Sequence, residues 1–377
     1  MDFNLSEEQG LLKDAIDKLI LKEYGFEQRR RHGNTAEGWS RAFWSQLAEQ
    51  GFLALPFAAE QGGLGYGPLE LMLVMEALGR GLVLEPYFGS VVAAGGVLRH
   101  GASTAQLERL VPRIAAGELV LALAQTEKQS RYELGDVLCT ATADGEGYVL
   151  HGTKVVVIHG DSADLLIVPA RTGGSRRDRD GIGLFLVAAD AAGLRRRGYR
   201  TQDGLRAADL ILDGVRVGRD ALIGPSGGGL EILERTAEEA IAALAAESVG
   251  CMQALLDLTV DYLKQRNQFG GPIGRFQALQ HRAAEMLIEL EQARSMAMYA
   301  ALMLDEPDPA ERRRALSAVK VQIGKSGRFV AQQAVQLHGG IGVTEECAVG
   351  HYFKRLTMME ALFGDSDHHL ARLALAG

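Results

Sequence analysis

Apolar positions fall into three regimes along the chain. Leu11, Leu12, Ala15, Ile16, Leu19 and Ile20 recur at helical spacing, which predicts a helix with one buried stripe. Ser6 followed by Glu7, Glu8 and Gln9 supplies its N-terminal cap. A Gly-rich connector, Gln61-Gly-Gly-Leu-Gly-Tyr-Gly-Pro68, interrupts the pattern, which returns in LELMLVMEALGRGL and AQLERLVPRIAAGE. Residues 1–120 therefore read as an all-helical domain. Over 121–228 the period shortens to two: β-branched runs such as CTATADGEGYVLHGTKVVVIHG, GIGLFLVAAD and DLILDGVRVG are separated by Gly and Asp turns. That pattern predicts an antiparallel β-domain, a sandwich or barrel, with residues 173–181 (GGSRRDRDG) as a mobile surface loop. Over 229–377 long helical stretches resume, from Leu230 to near Lys264, Phe276 to Leu304 and Arg312 to Leu337, with EPDPAERRR as a turn. Long helices joined by short turns make an antiparallel bundle. The fold class is α+β multidomain, in the order helices, sheet, helices.

A chain of 377 residues, 47% hydrophobic, can bury the cores of two or three domains. Its net charge of -8 argues against nucleic acid and against anionic membranes as partners. The basic runs Arg29–Arg31, Arg195–Arg197 and Arg312–Arg314 are short enough to be solvated patches. Cys139, Cys251 and Cys347 are far apart and form no disulfide framework, so a reduced cytoplasmic protein is expected. Cys251 and Cys347 read as small core residues. The N-terminus lacks the features of a signal peptide. No run of about 18 uncharged apolar residues is seen, so no membrane-spanning helix is expected.

The chemistry-bearing motifs lie in the last two blocks. Tyr262-Leu-Lys-Gln-Arg-Asn-Gln-Phe-Gly270 precedes Pro272-Ile-Gly-Arg-Phe-Gln277, and Gln336-Leu-His-Gly-Gly-Ile-Gly342 follows; Thr126-Glu127 is succeeded by Gly152-Thr-Lys154. Together with the helix–sheet–helix order, these segments resemble the acyl-CoA dehydrogenase family over nearly the whole chain. Within it, GDSADLL, TQDGLRAADL, VGHYFKRLTM and LFGDSDHHLARLA are similar to the group containing the small subunits of pimeloyl-CoA dehydrogenases. The resemblance implies a tetramer, homomeric or with a related large subunit, with FAD bound between subunits. It implies an acyl-CoA substrate and an electron-transfer flavoprotein as oxidant. Arg266 and Phe269 would reach the FAD of a neighbouring subunit. Gln336, Gly339 and Gly340 would lie beside the dinucleotide, where a cation and bare backbone suit a pyrophosphate. Gln277 and Gln280 would line the same region, and Thr126 and Asp365 are further FAD candidates. The bland readings are a helix-terminal cation for Arg266 and a helix cap for the two glycines. Glu127 reads as an exposed strand-end charge. The histidines show no ligand spacing, and no metal site is proposed.

The departures from the family pattern concern the chemistry itself. The catalytic base of many relatives is the Glu of a C-terminal EG[TS] motif, where this chain has Phe363 in Phe363-Gly364-Asp365-Ser366. The family's second base position, on the long helix, falls on Ala240. Glu247 lies seven residues on, about 700° of helix and roughly 10 Å along the axis, hence on nearly the same face. Among Ala245, Ala246, Ser248 and Val249 it would be desolvated and a stronger base; a buried structural Glu is the equal alternative. Glu238 and Glu239 read as solvated helix charges. A WIT triplet common near the flavin is Val156-Val157-Ile158, the Gly-Ser loop after Thr-Glu is Lys128-Gln-Ser-Arg-Tyr132, and an Arg that meets CoA adenine is Ile241. The implied reaction is α,β-dehydrogenation of an acyl-CoA, such as pimeloyl-CoA, to the trans-2-enoyl-CoA, with Glu247 as candidate base. The first alternative is a non-catalytic partner subunit of a heterotetramer. A remote one is the alkylation-response branch of the fold, which binds DNA.

Overall fold

The computed structural model describes residues 5–376. By packing, the chain forms two units: one made of the chain up to Arg31, Pro68–Val83 and everything from Ile241, the other of His32–Gly67 and Leu84–Ala240. The first helical block is thus shared out between the two.

The first unit is helical. α1 (Glu7–Glu23) starts at Ser6, whose side chain accepts from Gln9 N–H while Gln9 returns a bond to the Ser6 backbone, and it buries Ile16, Leu19 and Ile20. It packs on α4 (Pro68–Gly81); α2 (Phe26–Gly33), α3 (Arg41–Glu49), α5 (Gly95–Gly101) and α6 (Thr104–Ala115) are further helices of the first 120 residues. The long α7 (Gly229–Gln265) runs through both units. α8 (Gln277–Met303) and α9 (Pro309–His338) pair along their lengths, and α9 also carries α10 (Ala348–Ala361) and α11 (Ser366–Ala376). Pro309 opens α9, where its missing N–H costs nothing. One 18-residue window of α7 is long and apolar enough to cross a membrane, although no such window is free of charged residues, and 83% of it is buried inside the protein. Core burial explains its composition. Cys347 is only half-buried, at the cap of α10, and not the core residue expected.

Two glycines let α4 and α7 touch backbone to backbone. A Cβ on Gly250 would lie 1.9 Å from the Glu76 carbonyl oxygen, and one on Gly79 would lie 2.1 Å from that of Glu247. Neither obstacle is a flexible side chain. Gly250→Ala is therefore expected to destabilise the protein by about 1–3 kcal/mol or more through overpacking, read as a lower denaturant midpoint with unchanged slope.

The second unit is built on one eight-stranded sheet. Along it run β6 (Leu194–Arg200), β7 (Arg206–Gly218), β3 (Gly147–Ile158), β2 (Thr140–Asp144), β4 (Leu165–Arg171), β5 (Ile182–Ala188) and β8 (Leu222–Ile223), with β1 (Leu121–Leu123) beside β4. The sheet is mixed: β1 and β2 meet β4 in parallel, and the other pairs are antiparallel. The expected wholly antiparallel domain is corrected in that respect, because β1 enters from the helical block and lies alongside β4. Helical segments of this unit include a π-helix, Phe88–Ala94, wholly buried, an irregularity that favours functional sites.

The 173–181 loop lies on the surface, as expected, and is tied to the sheet unit through the buried Arg171 and Asp136. The Arg171 guanidinium donates to the carbonyls of Gly135, Arg176, Asp178 and Asp180 at 2.8–2.9 Å. The buried Asp136 carboxylate accepts from Arg176 at 2.5 and 2.7 Å and from Arg177 at 3.0 Å. Hydrogen bonding from Arg176 is the main reason its pKa falls to about 2. A buried carboxylate and its counter-charge 40 residues apart are invisible to a local composition rule.

Candidate functional site

In the sheet unit, Glu127 and Lys154 explain the spacing of the motif that contains them. Glu127 is buried, not an exposed strand-end charge, and accepts from the fully buried Lys154 ammonium at 2.7 Å. It also accepts from the N–H groups of Leu138 and Cys139 and from the Gln129 amide. Burial alone would raise its pKa. The Lys154 charge and these hydrogen bonds outweigh burial and hold it below the ordinary Glu value. The pair pins the 127–138 loop to β3 and with it Thr126, half-buried, whose carbonyl accepts from Val155 N–H at 2.9 Å. A depressed folded-state pKa contributes stability above the unfolded value, about 4.3 for Glu, that is lost as pH falls through the folded one. Lys154→Met leaves a buried unpaired carboxylate and is expected to cost about 3–5 kcal/mol at pH 7. The deficit against the parent shrinks towards pH 4, as urea melts at both pH values would show.

Next to Thr126, β3 carries a bulge. Its register with β7 shifts between Lys154 and Val157, and Val156 takes a φ of 52° while remaining 41% exposed. A positive φ is unusual for a β-branched residue. The Gln125 side-chain oxygen is buried without a hydrogen-bond partner in the protein, an acceptor left over for a ligand donor.

In the helical unit, the two Gly-containing motifs meet at one end of the bundle. Tyr262 stacks on His338 at 4.5 Å between ring centroids, and His338 is held by the Ala334 carbonyl at 2.8 Å. Burial lowers the pKa of this imidazole, so it joins the C-terminal ends of α7 and α9 as a neutral spacer. Arg266, Gln277, Gln280 and Gln336 are exposed there, although the Gln280 amide donates to the Gly274 carbonyl. Phe269 is 82% exposed at φ 52°, with Phe276 edge-on at 6.0 Å and Arg275 bonded to its carbonyl. Cβ atoms placed on Gly339 or Gly340 would meet nothing within 4 Å. A guanidinium, amide groups, an exposed ring and uncrowded backbone fit a phosphate-bearing aromatic ligand such as FAD. Asp365 is elsewhere: its carboxylate caps His368 N–H at the start of α11, which packs on α9 through Ser317 and His369. Ser317 and Gln336 are nineteen residues apart on α9, roughly 28 Å of helix. The structure therefore brings Arg266, Phe269, Gln277, Gln336, Gly339 and Gly340 together, places Thr126 in the other unit and leaves Asp365 apart.

The carboxylates depart most from expectation. Glu247 is buried, but both its oxygens lie on the Arg355 guanidinium, at 2.6 and 2.7 Å. The apolar, unpaired setting expected of a base is not what the fold provides, because α10 delivers a counter-charge to this face of α7. Glu238 and Glu239 are not solvated. Glu238 is buried, and Glu239 meets Arg99 at 2.5 Å and His100 at 2.7 Å. Burial would raise Glu239, but Arg99 and His100 hold it down at about 2. At the two family base positions the structure has the buried Ala240 and the half-buried Phe363. Sequence reasoning missed Arg355, Arg99 and Asp136 as site-shaping charges. Lys154 alone carried a signal, its place in the Gly152-Thr-Lys154 element.

Comparison with known proteins gives consistent likenesses. Family models for the acyl-CoA dehydrogenase N-terminal, middle and C-terminal domains match residues 6–118, 122–215 and 227–376. The acyl-CoA dehydrogenase FadE12 of Mycobacterium tuberculosis is 31% identical over 352 residues, 91% of this chain and 89% of that protein. Among solved structures, the Tcur3481–Tcur3483 steroid ACAD superimposes with a TM-score of 0.88 at 31% identity, over 98% of this chain and 97% of that one. The ChsE4–ChsE5 complex of Mycobacterium tuberculosis gives 0.88 at 26%, over 100% and 98%.

Proposed function

Because the chain belongs to the acyl-CoA dehydrogenase family of FAD oxidoreductases acting on acyl-CoA, we propose that it serves α,β-dehydrogenation of an acyl-CoA thioester as one of two unlike subunits. It lends binding surface, and its partner, a related large subunit, lends the base. One observation carries this reading. Removing an α-proton requires a general base within hydrogen-bond reach of it, a carboxylate by the family resemblance, and Glu247 is engaged on both oxygens by Arg355 while Ala240 and Phe363 occupy the other two positions. The double names of two similar structures, Tcur3481–Tcur3483 and ChsE4–ChsE5, support assembly from unlike chains.

Bound FAD would supply the acceptor for the β-hydride, and an electron-transfer flavoprotein would reoxidise it. The chain's own part is to bind and orient. Arg266 offers a planar fork to a pyrophosphate, Gly339 and Gly340 offer backbone, Gln277 and Gln336 offer amides, and Phe269 offers an apolar face. Thr126 and the exposed Val156 lie in the sheet unit. The substrate proposed for test is pimeloyl-CoA, a dicarboxylyl thioester; a steroid side-chain thioester is the comparison compound. The competing reading, a self-sufficient homotetramer with Glu247 as base, requires Arg355 to release that carboxylate.

The test is to purify the chain alone and with the product of a neighbouring gene, then add pimeloyl-CoA without oxygen. Bleaching of the flavin band only in the two-chain preparation supports the proposal. Bleaching by the chain alone overturns it in favour of the homotetramer.

A further inference from the structure

We infer that Asp209 is a positioning residue that fixes the flavin-facing bulge of β3, with Tyr199 as its second hold; this rests on the FAD reading above. Between the pairs Lys154–Leu210 and Val157–Ala208, two residues of β3, Val155 and Val156, oppose Asp209 alone. Both displaced N–H groups are re-satisfied. That of Val155 goes to the Thr126 carbonyl at 2.9 Å, and that of Val156 goes to the Asp209 carboxylate at 3.2 Å. The same carboxylate oxygen accepts from the Tyr199 hydroxyl at 3.0 Å. Burial first, and then Asp209, push that phenol up to about 12, so it stays a donor. Arg197 pairs with Asp209 across the β6–β7 ladder.

A bulge needing a left-handed residue is ordinarily given glycine. This one is given valine at φ 52°, with its side chain partly in solvent. That side chain, 41% exposed, is not a core side chain of the unit. Backbone strain that the surroundings over-determine collects at ligand sites, and two further irregularities lie beside this one. His159 follows at φ 55°, and a Cβ on Gly89 of the π-helix would lie 3.5 Å from the Ile158 carbonyl and 3.6 Å from the His159 ring. What Val156 presents is a small apolar face of fixed height, suited to the flat ring system of a flavin. Asp209 holds it there without touching the ligand.

The test uses the intact chain in its two-chain assembly, stripped of flavin and titrated with FAD by fluorescence quenching, alongside apoprotein melting temperatures. Asp209→Asn keeps an acceptor for Val156 N–H and is expected to bind FAD within about threefold of the parent, whereas Asp209→Ala weakens it about tenfold or more. Val156→Gly is expected to raise the apoprotein melting temperature, by relieving the strain, yet weaken FAD by a similar factor; it also serves where Asp209→Ala does not fold. If Asp209→Ala and Val156→Gly shift melting temperature but leave FAD affinity unchanged, the role is structural only and the inference is overturned. If the parent assembly binds no FAD at all, the functional proposal fails first and this inference with it.

Discussion

Arg355→Met is expected to destabilise the helical unit by about 3–5 kcal/mol, because it leaves the Glu247 carboxylate buried without a counter-charge. The ion pair is bidentate and almost fully out of solvent. Its net contribution is a separate matter. The double variant Glu247→Leu with Arg355→Met replaces both charges by apolar groups and is expected to recover most of the loss, since desolvation of two ions offsets much of their attraction. Urea denaturation of the parent, the single and the double variant would give both numbers. A single variant as stable as the parent would mean that the pair is open to solvent, which would reopen Glu247 as a base.

Arg266→Ala is expected to lower FAD affinity about 10- to 100-fold, the loss of one charge-assisted interaction of about 1.5–3 kcal/mol, with little change in folding stability. Arg266 stands exposed at the end of α7, and the tip around it carries an exposed aromatic and two uncrowded glycines. Those features serve a ligand or a neighbour rather than the unit's own core. The readout is the flavin-to-protein absorbance ratio after desalting. Arg282→Ala, a nearby exposed cation bonded to Gln333 at 2.9 Å, is the control and is expected to retain flavin.

Regularities that repeat locally were legible in the sequence. The capping box at Ser6, the bounds of α7 and α8 within a residue or two, and the bundle-end grouping of Tyr262–Gln277 with Gln336–Gly342 all rest on short-range period or motif, whereas α9 begins three residues before the expected Arg312, at Pro309 inside the expected turn. What could not be read were pairings across sequence. Arg355 finds Glu247 from 108 positions away, Lys154 finds Glu127 from 27, and Arg176 finds Asp136 from 40. Each added a partner that local reading had not supplied: a candidate base became an ion pair, an exposed charge became a buried one, and a surface loop gained ties to Asp136. The mixed sheet and the bulge at Val156 were hidden for a different reason, since a two-residue period says which faces alternate but not which strand lies alongside or where the register slips.

The central claim is that this chain binds and completes a site without supplying the base. Glu247→Gln in the two-chain assembly, with flavin content confirmed, tests it most directly by the rate of anaerobic flavin bleaching with pimeloyl-CoA. The account expects bleaching per bound flavin to match the parent within about twofold, even where the variant is less stable. Loss of bleaching by a factor of about 100 or more with flavin retained, the deficit of a missing general base, would contradict the account and make Glu247 the catalytic carboxylate.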